Sequence, residues 1–246
     1  MKEISLFSRK DMYIMSHDDK GKATFLRESF NRSPMYRYDN LHLANRIHYT
    51  TYNGIDIPII DPYEGCLDFE FFPYTSHCKL EGKGQALHFF QNDDKFRHAV
   101  WNKLEETTFK LKKFDLLLTP DFTMFVDMPS FYALQSVYMT RFVGAYWQNC
   151  GYNVLPTVSW SNVDSFEFTF LGLPKNSPIA VCGVGVRKCK GSLELWHLGL
   201  LELEEKLHPT IILIYGDESI PLPNLHTPVK FITDNITKFF RNGRTK

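Results

Sequence analysis

Apolar and polar residues follow two different periods along this chain from residue 55 onward. Residues 67–74 begin with every second position apolar, which predicts a half-buried strand. Residues 114–119 and 153–159 are short apolar runs with polar, turn-prone ends, and a helix-length segment separates them, as in a strand–helix–strand unit. The pattern predicts strands at 67–74, 86–90, 114–119, 153–159, 178–183, 210–215 and 229–233, and a short apolar run at 57–60.

Helical periodicity fills most of the segments between these strands. Asp93 or Asp94 can cap a helix at 94–113, because a carboxylate there accepts hydrogen bonds from unpaired backbone N–H groups. The buried stripe expected of that helix consists of Phe96, Val100, Leu104 and Leu111. Further helices are predicted at 130–150, 192–207 and 235–241, with a short helical segment at 164–171.

Strands that alternate with helices imply an α/β fold with a mostly parallel sheet. A strand count near eight and the lack of a dinucleotide-binding fingerprint favour a distorted TIM-like (β/α) barrel. An open doubly wound sheet is the alternative. We therefore expect an irregular N-terminal extension at 1–54, where Phe25, Leu26 and Phe30 can share one helix face, and a barrel-like α/β domain at 55–246.

Composition and charge mainly exclude certain classes of function. The 246 residues include 28 basic and 28 acidic side chains, so overall charge does not support non-specific nucleic-acid binding. No apolar run reaches the roughly 20 residues that span a bilayer. We therefore expect a protein in the cytoplasm of a bacterial host cell, with no membrane partner. Five cysteines at irregular spacing argue against a disulfide framework, and Cys150 and Cys182 are expected to be buried thiols.

Acidic residues near the strand ends are the candidate catalytic residues, because ligands of parallel α/β folds gather there. Asp121 and Asp127 follow the strand at 114–119, and Glu167 follows the strand at 153–159. Converging carboxylates can act as acid and base or hold Mg²⁺. The alternative is structural, because such acids commonly fix turns or cap helices.

Aromatic residues in the same region are candidate ligand-binding residues. A pair of carboxylates can hydrolyse a glycoside while Trp160 or Trp147 stacks on its sugar ring. Tyr146 and Tyr215 belong to the same candidate set, and Tyr215 ends the strand at 210–215.

The loop 183–192 is a candidate anion site. It joins a strand to a helix start and includes Gly183, Gly185, Arg187 and Lys188. Glycines allow backbone N–H groups to approach an anion, and the helix N-terminus adds positive potential. The loop lacks the Gly-Lys-Ser/Thr ending of a Walker motif. It predicts a phosphate or nucleic-acid site, and the alternative is a solvated basic connection.

A string of motifs between residues 109 and 216 carries a family resemblance. It consists of Thr119-Pro120-Asp121-Phe122, Asp127-Met128-Pro129, Arg141 with Gly144 to Gln148, Gly151 to Trp160, and Ser165 to Phe168. On these motifs the chain resembles domain of unknown function 4417, an uncharacterised family that occurs in phages, prophages and other mobile elements of Gram-positive bacteria. The resemblance implies a mobile-element origin and an accessory role, such as host interference, counter-defence or replication support. It supplies no catalytic residues.

Two hypotheses follow for the function. The first is a phage or mobile-element accessory protein that binds a host macromolecule, such as a host protein or nucleic acid, or a nucleotide at the strand-end face. The second is a metal- or carboxylate-dependent hydrolase of a phosphate- or sugar-containing substrate, in which Arg187 and Lys188 grip an anion. An enzyme needs its acids to converge in one cleft. A binding protein needs an exposed apolar or basic patch and can have scattered acids.

Overall fold

The computed structural model describes residues 39–189 and 191–233. The chain consists of two compact units, Met1–Asn45 and Arg46–Lys246. Of the first unit, only residues 39–45 are described, where the 3₁₀ helix Leu41–Arg46 begins. The helices expected around Phe25 and at 235–241 lie outside the described residues.

A short antiparallel hairpin opens the described part of the second unit. Strand β1, Tyr49–Tyr52, pairs with strand β2, Ile55–Pro58, and a two-residue turn joins them. In that turn Asn53 has φ +47° and Gly54 has φ +79°. Positive φ at both positions is what a type I′ hairpin turn requires. Residues 49–52 therefore form a strand within the segment that was predicted to be irregular.

Two four-stranded parallel sheets follow. The parallel arrangement was predicted from the sequence, and the division into two sheets was not. Every neighbouring pair within them is parallel, and the strand order follows the chain without reversal. This order differs from that of a doubly wound sheet, where the order reverses at a switch point. The first sheet consists of β3 (Glu70–Pro73), β4 (Gln85–His88), β5 (Leu116–Leu118) and β6 (Val154–Leu155), and the second of β7 (Thr157–Val158), β8 (Ile179–Cys182), β9 (Ile212–Tyr215) and β10 (Val229–Ile232).

Pro156 separates the two sheets. It has no N–H group to donate to a neighbouring strand, so it divides one run of extended chain into β6 and β7. Before it, Leu155 pairs with Leu118 of β5, and after it, Thr157 pairs with Ala180 of β8. One short run of chain therefore contributes to the edge of both sheets.

The two long helices lie close to where the sequence placed them, but the first predicted helix is broken. Thr107 Oγ1 donates to Ala99 O at 2.6 Å and Thr108 Oγ1 to Leu104 O at 2.7 Å. Such side-chain bonds compete with regular helical ones. The predicted stripe is nevertheless buried at all four positions. The helices are α1 (Arg97–Val100), α2 (Leu104–Lys110), α3 (Ser130–Asn149) and α4 (Ser192–Leu207), with 3₁₀ helices at Tyr74–Lys79, Asp93–Lys95 and Val163–Glu167.

Alternate residues of the strands face two different apolar clusters. In β9, Ile212 and Ile214 pack with the leucines of α4, whereas Leu213 faces a second cluster. That second cluster takes residues from both sheets, namely Phe71, Ala86, Leu116, Leu118, Leu155, Ala180, Leu213 and Ile232. Within the described residues, no strand pairing joins β3 to β10. The fold is therefore mixed α/β with mostly parallel sheets, and the predicted closed TIM-like barrel is not shown.

Candidate functional site

A cavity of about 390 Å³ opens at the carboxyl ends of β4, β5, β7 and β8. This is the edge at which parallel α/β folds bind their ligands, because the loops after the strands converge there. Its volume falls within the usual range for small-molecule sites. The lining includes Phe90, Asp121, Ser159, Trp160, Cys182, Gly185 and Trp196.

Three aromatic rings, those of Phe90, Trp160 and Trp196, line the cavity. Trp160 packs against the rings of Phe166 and Phe170 and against Gly199 of α4. A Cβ atom at Gly199 would lie 2.0 Å from Cε2 of Trp160, so only glycine leaves room for the indole there. Trp196 Nε1 donates to Cys182 O at 3.0 Å. Both indoles are therefore held in place by their surroundings.

Asp121 is the one charged side chain among the described residues that line this cavity. It lies three residues after β5, is half-buried and forms a hydrogen bond with Ser159. Loss of solvent, opposed by the Ser159 hydroxyl and assisted by the charge of Asp93, raises the pKa of the Asp121 carboxyl to about 7. Near neutral pH the cavity therefore holds a carboxyl group in both protonation states.

Asp93 supports the loop that carries Asp121. Its Oδ1 accepts hydrogen bonds from Thr123 N at 3.0 Å and Thr123 Oγ1 at 2.6 Å, and its Oδ2 lies 3.4 Å from Arg97 Nη1. The prediction that Asp93 or Asp94 caps the following helix is wrong, because the residue at the cap position is Asn92 and no side chain caps there. No sequence pattern indicated the contact with Thr123, which lies 30 residues further along the chain.

Cys182 is a poor nucleophile in this setting. Burial raises the pKa of its thiol to about 12, and the neighbouring Asp121 charge acts in the same direction. At neutral pH the sulfur therefore stays protonated. It is inert because the thiolate is the reactive form. Cys150 differs from the expectation of a buried thiol, because it follows the last turn of α3 and is exposed.

Arg141 organises the segment that carries Ser159 and Trp160. This fully buried side chain of α3 donates to the carbonyl oxygens of Thr157 at 3.2 Å, Thr169 at 2.6 Å and Leu171 at 3.1 Å. Burial lowers the pKa of the guanidinium to about 9, so it remains charged at pH 7. Thr169 Oγ1 in turn donates to Ser159 O. Arg141 was one of the motif residues quoted from the sequence, but the motif did not indicate these contacts.

The predicted anion loop reaches the cavity with part of its length. Gly185 lines the cavity, and Gly183 N donates to Tyr215 O at 2.8 Å beside it. Arg187 and Lys188 are exposed and do not line it. Arg187 Nη2 instead donates to Ser219 Oγ at 3.2 Å. The cations thus lie on the loop that borders the cavity, outside its lining.

Tyr215 lies beside the cavity wall. Its ring stacks on Phe90, with centroids 5.1 Å apart and planes 14° apart, and also contacts His88 at 4.5 Å. It therefore supports one of the lining rings from behind.

The other candidate residues lie away from this cavity. Asp127 is exposed on a neighbouring surface with Arg97 and Tyr132. Glu167 is also exposed, and it accepts a hydrogen bond from Tyr52 Oη at 2.9 Å. The three predicted acids therefore do not converge. No cluster of three or more His, Cys, Asp or Glu side chains suited to a metal ion occurs in residues 39–189 and 191–233.

Tyr146 and Trp147 belong to the packed side of α3. Trp147 is fully buried, with Nε1 donating to Thr108 Oγ1 at 3.0 Å. Burial and the neighbouring Cys150 raise the pKa of Tyr146 to about 12. Neither residue lines the strand-end cavity.

The fold and cavity together define a mixed α/β protein with a ligand-sized site at the ends of its parallel strands. The family model described as Domain of unknown function (DUF4417) matches residues 51–226, and the chain belongs to this family. That span includes all the lining residues of the cavity.

Two phage proteins are similar to part of this chain. The Gene 1 protein of Mycobacterium phage L5 is 41% identical over 133 residues, which are 54% of this chain and 58% of the phage protein. The Gene 1 protein of Mycobacterium phage D29 is 40% identical over 133 residues, covering 54% of this chain and 49% of the phage protein. The chain thus spans about half the length of the curated relatives it matches.

No solved structure matches this chain. None of the helices in the described part of the chain is both long and apolar enough to cross a membrane.

Proposed function

We propose that this protein binds a small ligand with a flat, nitrogen-containing ring, of the nucleoside or nucleotide class, in the cavity at its strand ends. The observation that carries the proposal is the combination of aromatic walls with a single carboxyl group in one cavity of about 390 Å³. Ligand pockets are typically of this size, mostly apolar, with a few polar groups that fix orientation.

A ring fits this lining better than an isolated anion. The indoles of Trp160 and Trp196 are among the lining residues, and stacking of a base on an aromatic ring contributes about 1–3 kcal/mol per base. A phosphate group inside the cavity would meet Asp121 without a lysine or arginine in the lining to offset it. In a nucleotide, the phosphate would therefore point outward, towards Arg187 and Lys188 on the bordering loop.

The accessory role expected of a phage or mobile-element protein is compatible with such a site. Capture of a host nucleoside or nucleotide would act on host metabolism or defence without any chemical step. The small-molecule size of the cavity supports the nucleotide form of the first hypothesis over binding of a host macromolecule.

We also propose that the two sheets form one incomplete, barrel-like wall around the second apolar cluster. The cluster takes side chains from β3 to β10, with strands of both sheets contributing. Lys230 Nζ of β10 donates to Leu67 O, shortly before β3, at 2.9 Å. A wall of this kind would bring the strand ends round the cavity in the way a barrel does.

Titration of the protein with adenosine, guanosine, cytidine, uridine and their 5′-monophosphates tests the binding proposal. Because two tryptophans line the cavity, a stacked base is expected to quench their fluorescence, and calorimetry gives the Kd. Substitution Trp160→Leu is expected to raise that Kd about tenfold, since it removes a stacking face.

The matched control for this titration is Phe131→Leu. Phe131 is a ring on α3 that is 72% exposed and lies outside the cavity lining. We expect the control to bind like the unaltered protein. Absence of binding of every nucleoside and nucleotide to the unaltered protein would refute the proposal.

Asp121 also favours a second candidate, an enzyme. A carboxyl group with a pKa of about 7 suits general acid–base catalysis at neutral pH. A hydrolase of a nucleoside would use it to protonate the departing base or to activate water. Incubation with the same nucleosides and chromatography of the products tests this candidate, and unchanged nucleosides after prolonged incubation would exclude it.

A further inference from the structure

The hydrogen-bonding edge of a ring bound in this cavity must meet polar groups in its wall. Asp121 is the charged group there, and its carboxyl has two oxygens at the end of β5. A ring that stacks its face on an indole presents its polar atoms at its edge. The carboxyl of Asp121 is therefore the group best suited to recognise that edge.

We propose that Asp121 hydrogen-bonds to the edge of the bound ring, and that the protonation state of its carboxyl determines which pattern of donors and acceptors on that edge can bind. The inference rests on the proposed function, because it requires a ring in the cavity. A carboxylate accepts two hydrogen bonds, so it fits two adjacent donors, such as N1–H and the N2 amino group of guanine. A protonated carboxyl offers one donor and one acceptor, so it fits adenine, which has its N6 amino group beside N1.

The groups around Asp121 place both states within the physiological range. Asp93, from the 3₁₀ helix after β4, adds negative charge, which favours the protonated form. The Ser159 hydroxyl, after β7, favours the carboxylate. Cys182, at the end of β8, stays neutral because burial raises the pKa of its thiol. Loss of solvent is the largest cause, and together with the effects of Ser159 and Asp93 it raises the pKa of Asp121 to about 7.

The two ligand classes should then respond to pH in opposite directions. A ligand with two adjacent donors needs the carboxylate, so its affinity falls as pH drops below 7. A ligand with a donor–acceptor edge needs the acid, so its affinity falls as pH rises above 7. With one linked proton and a pKa of about 7, each Kd should change about thirtyfold between pH 8.5 and pH 5.5, mostly on the unfavourable side of the pKa.

Measurement of Kd for guanosine and adenosine at pH 5.5, 7.0 and 8.5 tests this inference. We expect guanosine to bind about thirtyfold more weakly at pH 5.5 than at pH 8.5, and adenosine to show the reverse. Neither base changes its protonation in this range, so the effect belongs to the protein.

The variant Asp121→Asn tests whether the Asp121 carboxyl causes the pH dependence of Kd. An asparagine amide has a fixed donor and a fixed acceptor, so it copies the protonated acid at every pH. We expect this variant to bind adenosine with a pH-independent Kd and to bind guanosine weakly throughout. Asp68→Asn is the matched control, because Asp68 is exposed and precedes β3 at the opposite end of the strands. It should keep both pH profiles.

The outcomes distinguish this inference from the proposed function. If nucleosides bind with a Kd that is independent of pH, or if Asp121→Asn keeps the original profiles, the inference is overturned while the binding proposal stands. If no nucleoside binds at any pH, both are overturned.

Discussion

Single residues hold the cavity wall in place, and Gly199 is the clearest case. The Trp160 indole occupies the space that any side chain at position 199 would need. Phe166 and Phe170 also contact the indole, with ring centroids 6.2 Å and 6.4 Å away. The position of this ring in the cavity wall thus depends on the absence of a side chain at position 199 of α4.

Substitution Gly199→Ala should therefore displace Trp160. Overpacking of this kind destabilises proteins by about 1–3 kcal/mol, and the shifted indole should also weaken nucleoside binding. The free energy of unfolding in urea and the Kd of the preferred nucleoside measure the two effects. Leu198→Ala, at an exposed neighbouring position on the same helix, is the control and should change unfolding by less than about 0.5 kcal/mol. Equal stability of the two variants would contradict the packing argument.

Among the elements, the junction between β6 and β7 connects the two sheets. Pro156 cannot donate a hydrogen bond, and the next residue, Thr157, donates its N–H to the Thr119 hydroxyl at 2.8 Å instead of to a backbone carbonyl. The hydroxyls of Thr119 and Thr157 also lie 2.7 Å apart in a buried position. A side chain thus completes the ladder where the strand changes partner.

Replacement of Thr119 by valine keeps the shape and removes this acceptor. The buried N–H of Thr157 would then lack a partner, which costs about 1–3 kcal/mol. Chemical denaturation of Thr119→Val should show that loss in the free energy of unfolding. Thr51→Val, an exposed threonine in β1, makes the same chemical change without burial and should be nearly neutral. A neutral Thr119→Val would mean that the hydroxyl is dispensable at the junction.

The same elements show what a sequence can and cannot predict. The helix α4 begins and ends where its apolar period predicted, because leucines on one face pack on the second sheet. The helix expected at 94–113 breaks near residues 101–103, since Thr107 bonds to a carbonyl eight residues earlier. The apolar period of a segment predicts which of its faces is buried. It does not predict which side-chain hydroxyl will hydrogen-bond to a backbone carbonyl and break the helix.

The residues of the candidate site were also predicted only in part. The rule that ligands gather at strand ends led to Asp121, Trp160 and Gly185, and the structure brings these three residues to one cavity. The support from Asp93 and Arg141 was not predicted, because both act through residues distant in the chain. Asp127 and Glu167 also follow strands, but the loops that carry them turn onto other surfaces.

At the scale of the whole molecule, the carboxyl that faces the cavity makes folding depend on pH. The pKa of Asp121 is 3.8 in an exposed setting and about 7 in the folded chain. Between these values the folded protein keeps the proton and the unfolded chain releases it. The contribution of Asp121 to stability is therefore complete below pH 4 and is lost as pH rises towards 7, by at most about 1.4 kcal/mol for each pH unit.

Substitution Asp121→Asn should remove this part of the pH dependence, because an amide does not titrate. We expect the free energy of unfolding of the variant to exceed that of the unaltered protein by an amount that grows from pH 4.5 to pH 7.5. Urea denaturation at intervals of half a pH unit measures the two curves, and Asp68→Asn should follow the unaltered protein. Parallel curves for Asp121→Asn and the unaltered protein would show that the folded chain does not raise this pKa, and the proposed selection of ring edges near neutral pH would lose its physical basis.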